Sequence, residues 1–362
     1  MAILCLESTP APTLMSDVLP LAPEPDPTAI YRERDGIFAV ELLVAAITHL
    51  DLFTLLSREA LDLDEVCARL SLHPRLTDVM LSLCVAQGLL ERTDDRVRAS
   101  ATGREFLSRD SPLSLVPYYD SLRERPLVAS MLAVLRTGVP AQWSAEPEDW
   151  ARRMADEAFA QRFTAEMDCR GAWLGPRLAR RVGLEGRRHL LDIGGASGIY
   201  ACAFAREYEG LRATVLEKAP VDAIARKGVS ARGLAERVAV VTGDMFRSIP
   251  EGADVHLFSN VLHDWSETQC RELLARSHDA LAQDGLVVIH DAFLNREKTG
   301  PLHVAEYSVL LAHFTEGRCW SVGEMEAMLA DSGFDAPQLV EVGAQRSALV
   351  ARRLPAAGRL RS

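Results

Sequence analysis

The sequence is poor in lysine. Lys218, Lys227 and Lys298 are the only ones among 40 basic residues, so there are few places for Schiff-base chemistry. Positive charge is also in deficit. Forty Lys and Arg face 51 Asp and Glu for a net charge of −11, whereas attraction to nucleic-acid phosphates or anionic lipid needs the opposite sign. Neither nucleic acid nor a membrane surface is therefore expected as a partner. There is no CxxC pair. The seven cysteines (Cys5, Cys67, Cys84, Cys169, Cys202, Cys270 and Cys319) are odd in number and scattered, which excludes a disulfide framework or a zinc knuckle and points to a reduced, cytoplasmic protein. No apolar run reaches the roughly 18 residues of a membrane helix, and the N-terminus has no basic n-region, so neither a span nor a signal peptide is expected.

What is present describes a folded protein of some size. The chain has 362 residues, 48% hydrophobic and 25% charged, enough to bury a sizeable core in two domains. Residues 1–28, rich in Pro, Ser and acids, read as a disordered leader. Residues 29–110 read as a winged-helix-like module, 111–180 as a helical linker and pocket region, 181–353 as a catalytic α/β domain, and 354–362 as a tail.

Within the first module, Phe38–Leu56 is apolar on more than one face, which predicts one buried helix suited to a subunit interface. Two helical patterns follow, joined near His73 and Pro74. After Gly88 comes a strand–turn–strand pattern around Thr93–Asp95, the order of a winged helix. Residues 31–108 hold nine arginines and thirteen acids, and the second helix, LTDVMLSLCVAQGLL, is mostly apolar. Dimerisation or packing fits that charge better than DNA binding. Residues 110–180 read as helices with turns at Pro112, Pro126, Pro140 and Pro147.

From Arg188 strands and helices alternate, which predicts a doubly wound, mostly parallel sheet. LVEVGAQRSALVARR closes it as an antiparallel hairpin, unlike the second half of a nicotinamide-binding fold. Ligands of such sheets bind at the carboxyl ends of the strands. The first strand ends in Asp192, Gly194, Gly195, Ala196 and Gly198, where glycines admit close backbone approach and Asp192 can accept a hydrogen bond. Glu217, 25 residues on, suits two ribose hydroxyls, and Asp244 and Met245 suit the border of an adenine. Each could alone be a loop acid or a core side chain; their recurrence at successive strand ends is the signal.

The series DIGGASG, VLEKAPV, GDMF, NVLHDWSETQC and LADSGF resembles the class I S-adenosylmethionine-dependent methyltransferases, in particular the plant and bacterial O-methyltransferase family with its winged-helix dimerisation domain. The resemblance implies a homodimer acting on a small molecule of antibiotic-type metabolism. It places the cofactor on Asp192, Gly194, Gly195, Gly198, Glu217, Asp244 and Met245, with Ser259 nearby. It also makes His263 the general base, adjoined by Asp264, with a side-chain pKa of about 6.5 that suits proton removal.

Two glutamates flank this histidine in the plant enzymes. The matching positions here are Asp291, which can still orient His263 and is counted with it as catalytic, and Cys319. Because Cys319 cannot act as a carboxylate, and because VAEYSVLLAHFTEGRCWSVGEMEAML resembles bacterial 2-oxo acid C-methyltransferases, the resemblance favours metal-assisted methylation of carbon. His263, His313 and Asp264 would hold iron or zinc. His290, expected to point off a buried strand, and His303, expected in a loop, are substitutes. Arg125 is the favoured carboxylate ligand over Arg123 and Arg170. The rival is O-methylation of a phenol or enol with His263 as base. A winged-helix regulator without enzymatic activity is the alternative of a different class.

Overall fold

The computed structural model describes residues 25–141 and 156–355. Most of the leader, Pro147 and most of the tail lie outside them. The first described residues already carry structure, since Asp26 accepts a hydrogen bond from the Thr28 backbone N–H at 2.8 Å and opens α1 (Thr28–Asp35).

The apolar run at 38–56 is two helices, α2 (Ala39–Thr48) and α3 (Leu52–Arg58), bent by 61°. Hydrophobic patterning could not show the break: the chain turns at Asp51, whose φ of 50° is left-handed, and that conformation ends a helix. Both helices bury most of their side chains within this chain. The winged-helix reading holds. A capping box of Asp62 and Glu65 starts α4 (Leu63–Leu70), and Pro74 occupies the first turn of α5 (Pro74–Ala86). A hairpin of β1 (Leu90–Thr93) and β2 (Arg96–Ala99) follows. In α5 every side chain from Leu76 to Val85 is buried, so the second helix of the motif is spent on packing.

Among the described residues four helices lead to the sheet: α6 (Ala101–Phe106), α7 (Val116–Asp120), α8 (Pro126–Thr137) and the long α9 (Glu157–Arg181). Pro126 starts α8 rather than making a turn, because proline fits the first helical position. The α/β region then runs β3 (His189–Ile193), α10 (Ile199–Glu207), β4 (Arg212–Glu217), α11 (Val221–Ala231), β5 (Val238–Thr242), β6 (Val255–Ser259), α12 (Glu267–Ala280), β7 (Leu286–Asp291), α13 (Leu302–Phe314), α14 (Val322–Asp331), β8 (Gln338–Gly343) and β9 (Arg346–Arg352). The strand order is β5-β4-β3-β6-β7-β9-β8, parallel except that β9 inserts antiparallel between β7 and β8. The doubly wound sheet with a terminal hairpin is as expected.

One core spans the two halves. Val304, Ala305, Tyr307, Leu311 and Ala312 of α13 pack in the same apolar cluster as α2, α3 and α5. Arg75 of α5 ties the seam, donating to the carbonyls of Ala312, Thr315, Gly317 and Gly138 at 2.7–3.3 Å. Lys298 and Arg318 add a second tie by bridging Asp78 of α5 to Glu324 of α14 at 2.6–2.9 Å. Among the described residues no single helix is long and apolar enough to cross a membrane.

Candidate active site

The carboxyl ends of β3, β4, β5, β6 and β7 converge as the sequence predicts. After β3 the backbone turns through left-handed residues at Gly194 (φ 68°), Ala196 (φ 48°) and Gly198 (φ 74°), so Ala196 adopts the turn at some strain. A Cβ on Gly195 would lie 2.6 Å from the Asp192 carboxyl carbon. Glycine is therefore needed there to leave room for that side chain.

Asp192 is fully buried. Its Oδ2 accepts from the Ala201 N–H at 3.1 Å and its Oδ1 has no partner. Burial pushes its carboxyl up to about 7. Glu217, at the end of β4, is likewise raised by burial to about 7. Asp244 behaves differently: burial would raise it, but the Phe246 N–H at 2.9 Å and Lys218 at 3.1 Å hold it below the usual carboxylate range. The Met245 sulfur would lie 3.8 Å from a Cβ placed on Gly194. Ser259 shares a 2.9 Å hydrogen bond with His290 Nδ1. An orphaned buried carboxylate oxygen beside a glycine cradle, with a second carboxylate one strand over, fits a cationic nucleoside such as S-adenosylmethionine.

His263 sits in a 3₁₀ turn, Leu262–Asp264, after β6. Two donors fix this turn through the Leu262 carbonyl, Trp320 Nε1 at 3.0 Å and Cys270 Sγ at 3.1 Å. The imidazole is 4% exposed, and its Nδ1 lies 2.6 Å from Asp291 Oδ1 at the end of β7. Burial would lower the His263 pKa, but Asp291 and then Asp264 outweigh it and raise it above the ordinary value. Asp264 Oδ1 is 3.6 Å from Nε2. Gly317 closes over this turn: a Cβ there would be 2.0 Å from the His263 carbonyl oxygen.

The metal set does not assemble. His313 is stacked on Phe38 at 4.7 Å and meets Phe314 edge-on at 4.9 Å, so aromatic packing determines its position. Among the described residues no three His, Cys, Asp or Glu side chains are placed to ligate a metal ion. His263, His313 and Asp264 therefore do not fit iron or zinc. Nor do the substitutes. His290 is buried on β7 against Ser259, and His303 lies in the first turn of α13 rather than in a loop. Cys319 is a core thiol, fully buried, with its N–H on Ser308 Oγ at 3.1 Å.

Of the three arginines weighed for an acceptor carboxylate, Arg125 is ion-paired to Glu41 at 2.8 Å at the start of α8, and Arg123 lies beside Glu124. Arg170 alone points to the site, with its guanidinium 3.3 Å from the Tyr307 hydroxyl. Sequence reasoning missed two features. Tyr307 packs edge-on against His263 at 5.8 Å. A buried cluster of Asp168, Arg232 and Ser197 clamps the glycine loop to α9, with the Ser197 hydroxyl donating to Asp168 and Arg232 reaching it at 2.7 Å. Tyr307 stands six residues before His313 on a helix already singled out, but the cluster joins three distant segments and leaves no local signal.

Comparison with known proteins agrees with this geometry. Residues 141–335 match the family model of the O-methyltransferase domain, and residues 35–109 that of the O-methyltransferase dimerisation domain. The chain is 30% identical over 311 residues to the 3-hydroxy-5-methyl-1-naphthoate 3-O-methyltransferase of Streptomyces sahachiroi, covering 85% of this chain and 89% of that one. It is 31% identical over 314 residues to the tetracenomycin polyketide synthesis 8-O-methyl transferase of Streptomyces glaucescens, covering 84% and 88%. A solved structure of an O-methyltransferase family 2 protein from Planctomyces limnophilus, in complex with apigenin, superposes with a TM-score of 0.82 at 29% identity, covering 92% and 97%. These relatives are named for transfer to oxygen, and the expected kinship with carbon methyltransferases finds no support.

Proposed function

The chain belongs to the O-methyltransferase family and is an S-adenosylmethionine-dependent methyltransferase, and from that premise we propose that it methylates an aromatic hydroxyl of a small molecule of antibiotic-type metabolism, with His263 as general base. The observation that carries this reading is the buried His263–Asp291 pair at 2.6 Å. Asp291 accepts from Nδ1–H, which leaves Nε2 as the proton acceptor and gives the imidazolium a counter-ion when the proton arrives.

Asp192, Glu217, Asp244 and Met245 would hold the cofactor, with Gly194, Gly195 and Gly198 giving it backbone access and Ser259 bordering it through His290. Bound, S-adenosylmethionine supplies a methyl group on a sulfonium, open to in-line displacement by oxygen. The protein's share is to align the hydroxyl, take its proton at His263 and exclude water. Asp264, with Oδ1 3.6 Å from Nε2, assists by stabilising the protonated ring.

Two relatives are named for acting on fused aromatic hydroxyls, a naphthoate and a tetracenomycin, which supports that acceptor class. Carbon methylation loses support, since His313 is an aromatic packing residue with no metal set around it among the described residues and the relatives named above act on oxygen. A homodimer in the cytoplasm completes the reading. The matched dimerisation domain supports it, as do Ile37, Val40, Leu113 and Leu115, large apolar side chains left 47–54% exposed in the single chain.

The test is to supply S-adenosylmethionine and a panel of hydroxynaphthoates and anthracyclic phenols and to locate the transferred methyl by NMR. A methyl ether that fails to form with His263→Ala supports the reading. Transfer to carbon or nitrogen overturns it.

A further inference from the structure

Four other enclosed arginines near the site have their partners among the described residues. Arg232 is paired with Asp168, Arg318 with Asp78 and Glu324, and Arg346 with Asp35. Arg75 is spent on four carbonyls. Arg170 is the exception. It projects from α9, and among the described residues its guanidinium hydrogen-bonds the Tyr307 hydroxyl at 3.3 Å and the Met167 sulfur at 2.9 Å, both neutral. No carboxylate lies within ion-pair distance of it among the described residues. Asp35 and Asp264 are near enough to act on it electrostatically, yet neither reaches ion-pair distance, so its planar fork is left without a bidentate carboxylate partner among the described residues.

The surroundings are short of acceptors in the same way. Pairing of Asp291 with Ser347 in the β7–β9 ladder sets Arg346 one residue beyond Asp291, at the catalytic end of the sheet. Its guanidinium lies over the Tyr307 ring at 4.6 Å, and its buried Nε has no partner. His303, one turn before Tyr307 on α13, has a buried Nε2 that is also without a partner. Tyr307 thus touches His263 on one side and both guanidinium groups on the others. The base and the unmatched positive charge share one aromatic side chain as their common neighbour.

We propose that Arg170, backed by Arg346, binds a carboxylate on the methyl acceptor, so that the enzyme selects aromatic hydroxy acids and presents their hydroxyl to His263. This rests on the reading of an aromatic hydroxyl as the methylated group. Arginine suits the task because its planar fork matches a carboxylate in a bidentate pair, and a site built for that charge discriminates strongly against a neutral isostere. Tyr307 acts as a spacer that sets the distance between the anchored acid and the base.

The experiment is titration calorimetry of the S-adenosylhomocysteine complex with 1-naphthoate and with 1-naphthamide, a neutral analogue of the same shape. Wild type binds the acid at least about 30-fold tighter than the amide. Arg170→Gln lowers the affinity for the acid to that for the amide, Arg170→Lys keeps part of the difference, and unchanged S-adenosylhomocysteine affinity shows that each variant is folded. An acid that binds wild type no better than the amide overturns the proposal without recourse to any variant. So does a preference that persists in Arg170→Gln. Neither probe has a hydroxyl to methylate, so the result is independent of the transfer step. The proposed function fails separately if 3-hydroxy-2-naphthoate is bound in the presence of S-adenosylmethionine but recovered unmethylated.

Discussion

Asp291→Asn tests the mechanism most directly, because it removes one charge and almost no volume. In the native site Asp291 Oδ1 accepts from both His263 Nδ1 at 2.6 Å and the Ala292 N–H at 2.8 Å. An amide oxygen can keep these bonds but cannot neutralise the imidazolium that forms as the acceptor loses its proton. Breaking a buried charged pair costs on the order of 3 kcal/mol, and at about 1.4 kcal/mol per decade kcat should fall roughly 100-fold. The pH profile provides an independent check. Activity needs neutral His263, so its acidic limb follows the His263 pKa, which burial would lower and the two carboxylates hold above the ordinary value. With Asp291 neutral, burial dominates and the limb moves to lower pH although the rate is smaller. Stopped-time assays from pH 5 to 9, with S-adenosylhomocysteine affinity as a control, would measure both effects. A kcat within threefold of wild type, or an acidic limb that stays in place, would refute the assignment of Asp291 as the partner of the base.

Asp192 and Glu217 are both pushed to about 7 by burial, so each is only partly ionised near neutrality. Cofactor affinity should rise from pH 6 to 8, with proton release visible as a buffer-dependent heat of binding. Without cofactor, the same raised values cost stability that accumulates as pH climbs from about 4 to about 7. Glu324 has the opposite sign. Burial would raise it, but Arg318 and Lys298 hold it at about 2 against an ordinary 4.5. It should contribute about 3 kcal/mol above pH 4.5 that is lost as pH falls towards 2, and urea melts of wild type and Glu324→Gln should converge over that range. Gly317→Ala would drive a methyl into the His263 carbonyl at 2.0 Å; we expect a loss of about 2 kcal/mol of stability and a much lower kcat, with cofactor affinity kept. Chelators such as 1,10-phenanthroline should leave activity unchanged, and abolition of activity would restore the metal reading.

The sheet and the strand-end positions of the acids proposed for the cofactor were legible because both are local properties of the chain. Apolar runs of strand length alternate with helical periods from Arg188 onward, and each acid that matters stands within a residue or two of a strand end: Asp192, Glu217, Asp244. The glycines carry their own explanation, since Gly195 leaves room for a side chain only three positions earlier. The break between α2 and α3 was not legible. Both halves are equally apolar, and Asp51 takes a left-handed conformation that its identity permits without requiring.

The acceptor half depended on pairings between residues far apart in the chain. His313 and His263 look alike in sequence as histidines after apolar runs, yet one is stacked on Phe38 and the other is held by Asp291. Among three arginines of similar context, Arg125 found Glu41 and Arg170 has no carboxylate within ion-pair distance among the described residues. The order of elements, the parallel sheet with its closing hairpin and the strand ends proposed for the cofactor could be read from the chain alone, because backbone periodicity and short-range sterics are written in consecutive residues. Which arginine lacks a carboxylate partner among the described residues, and whether three ligands meet a metal, were settled by the folded arrangement. Those outcomes turn on distances of a few ångströms between segments that only folding brings together.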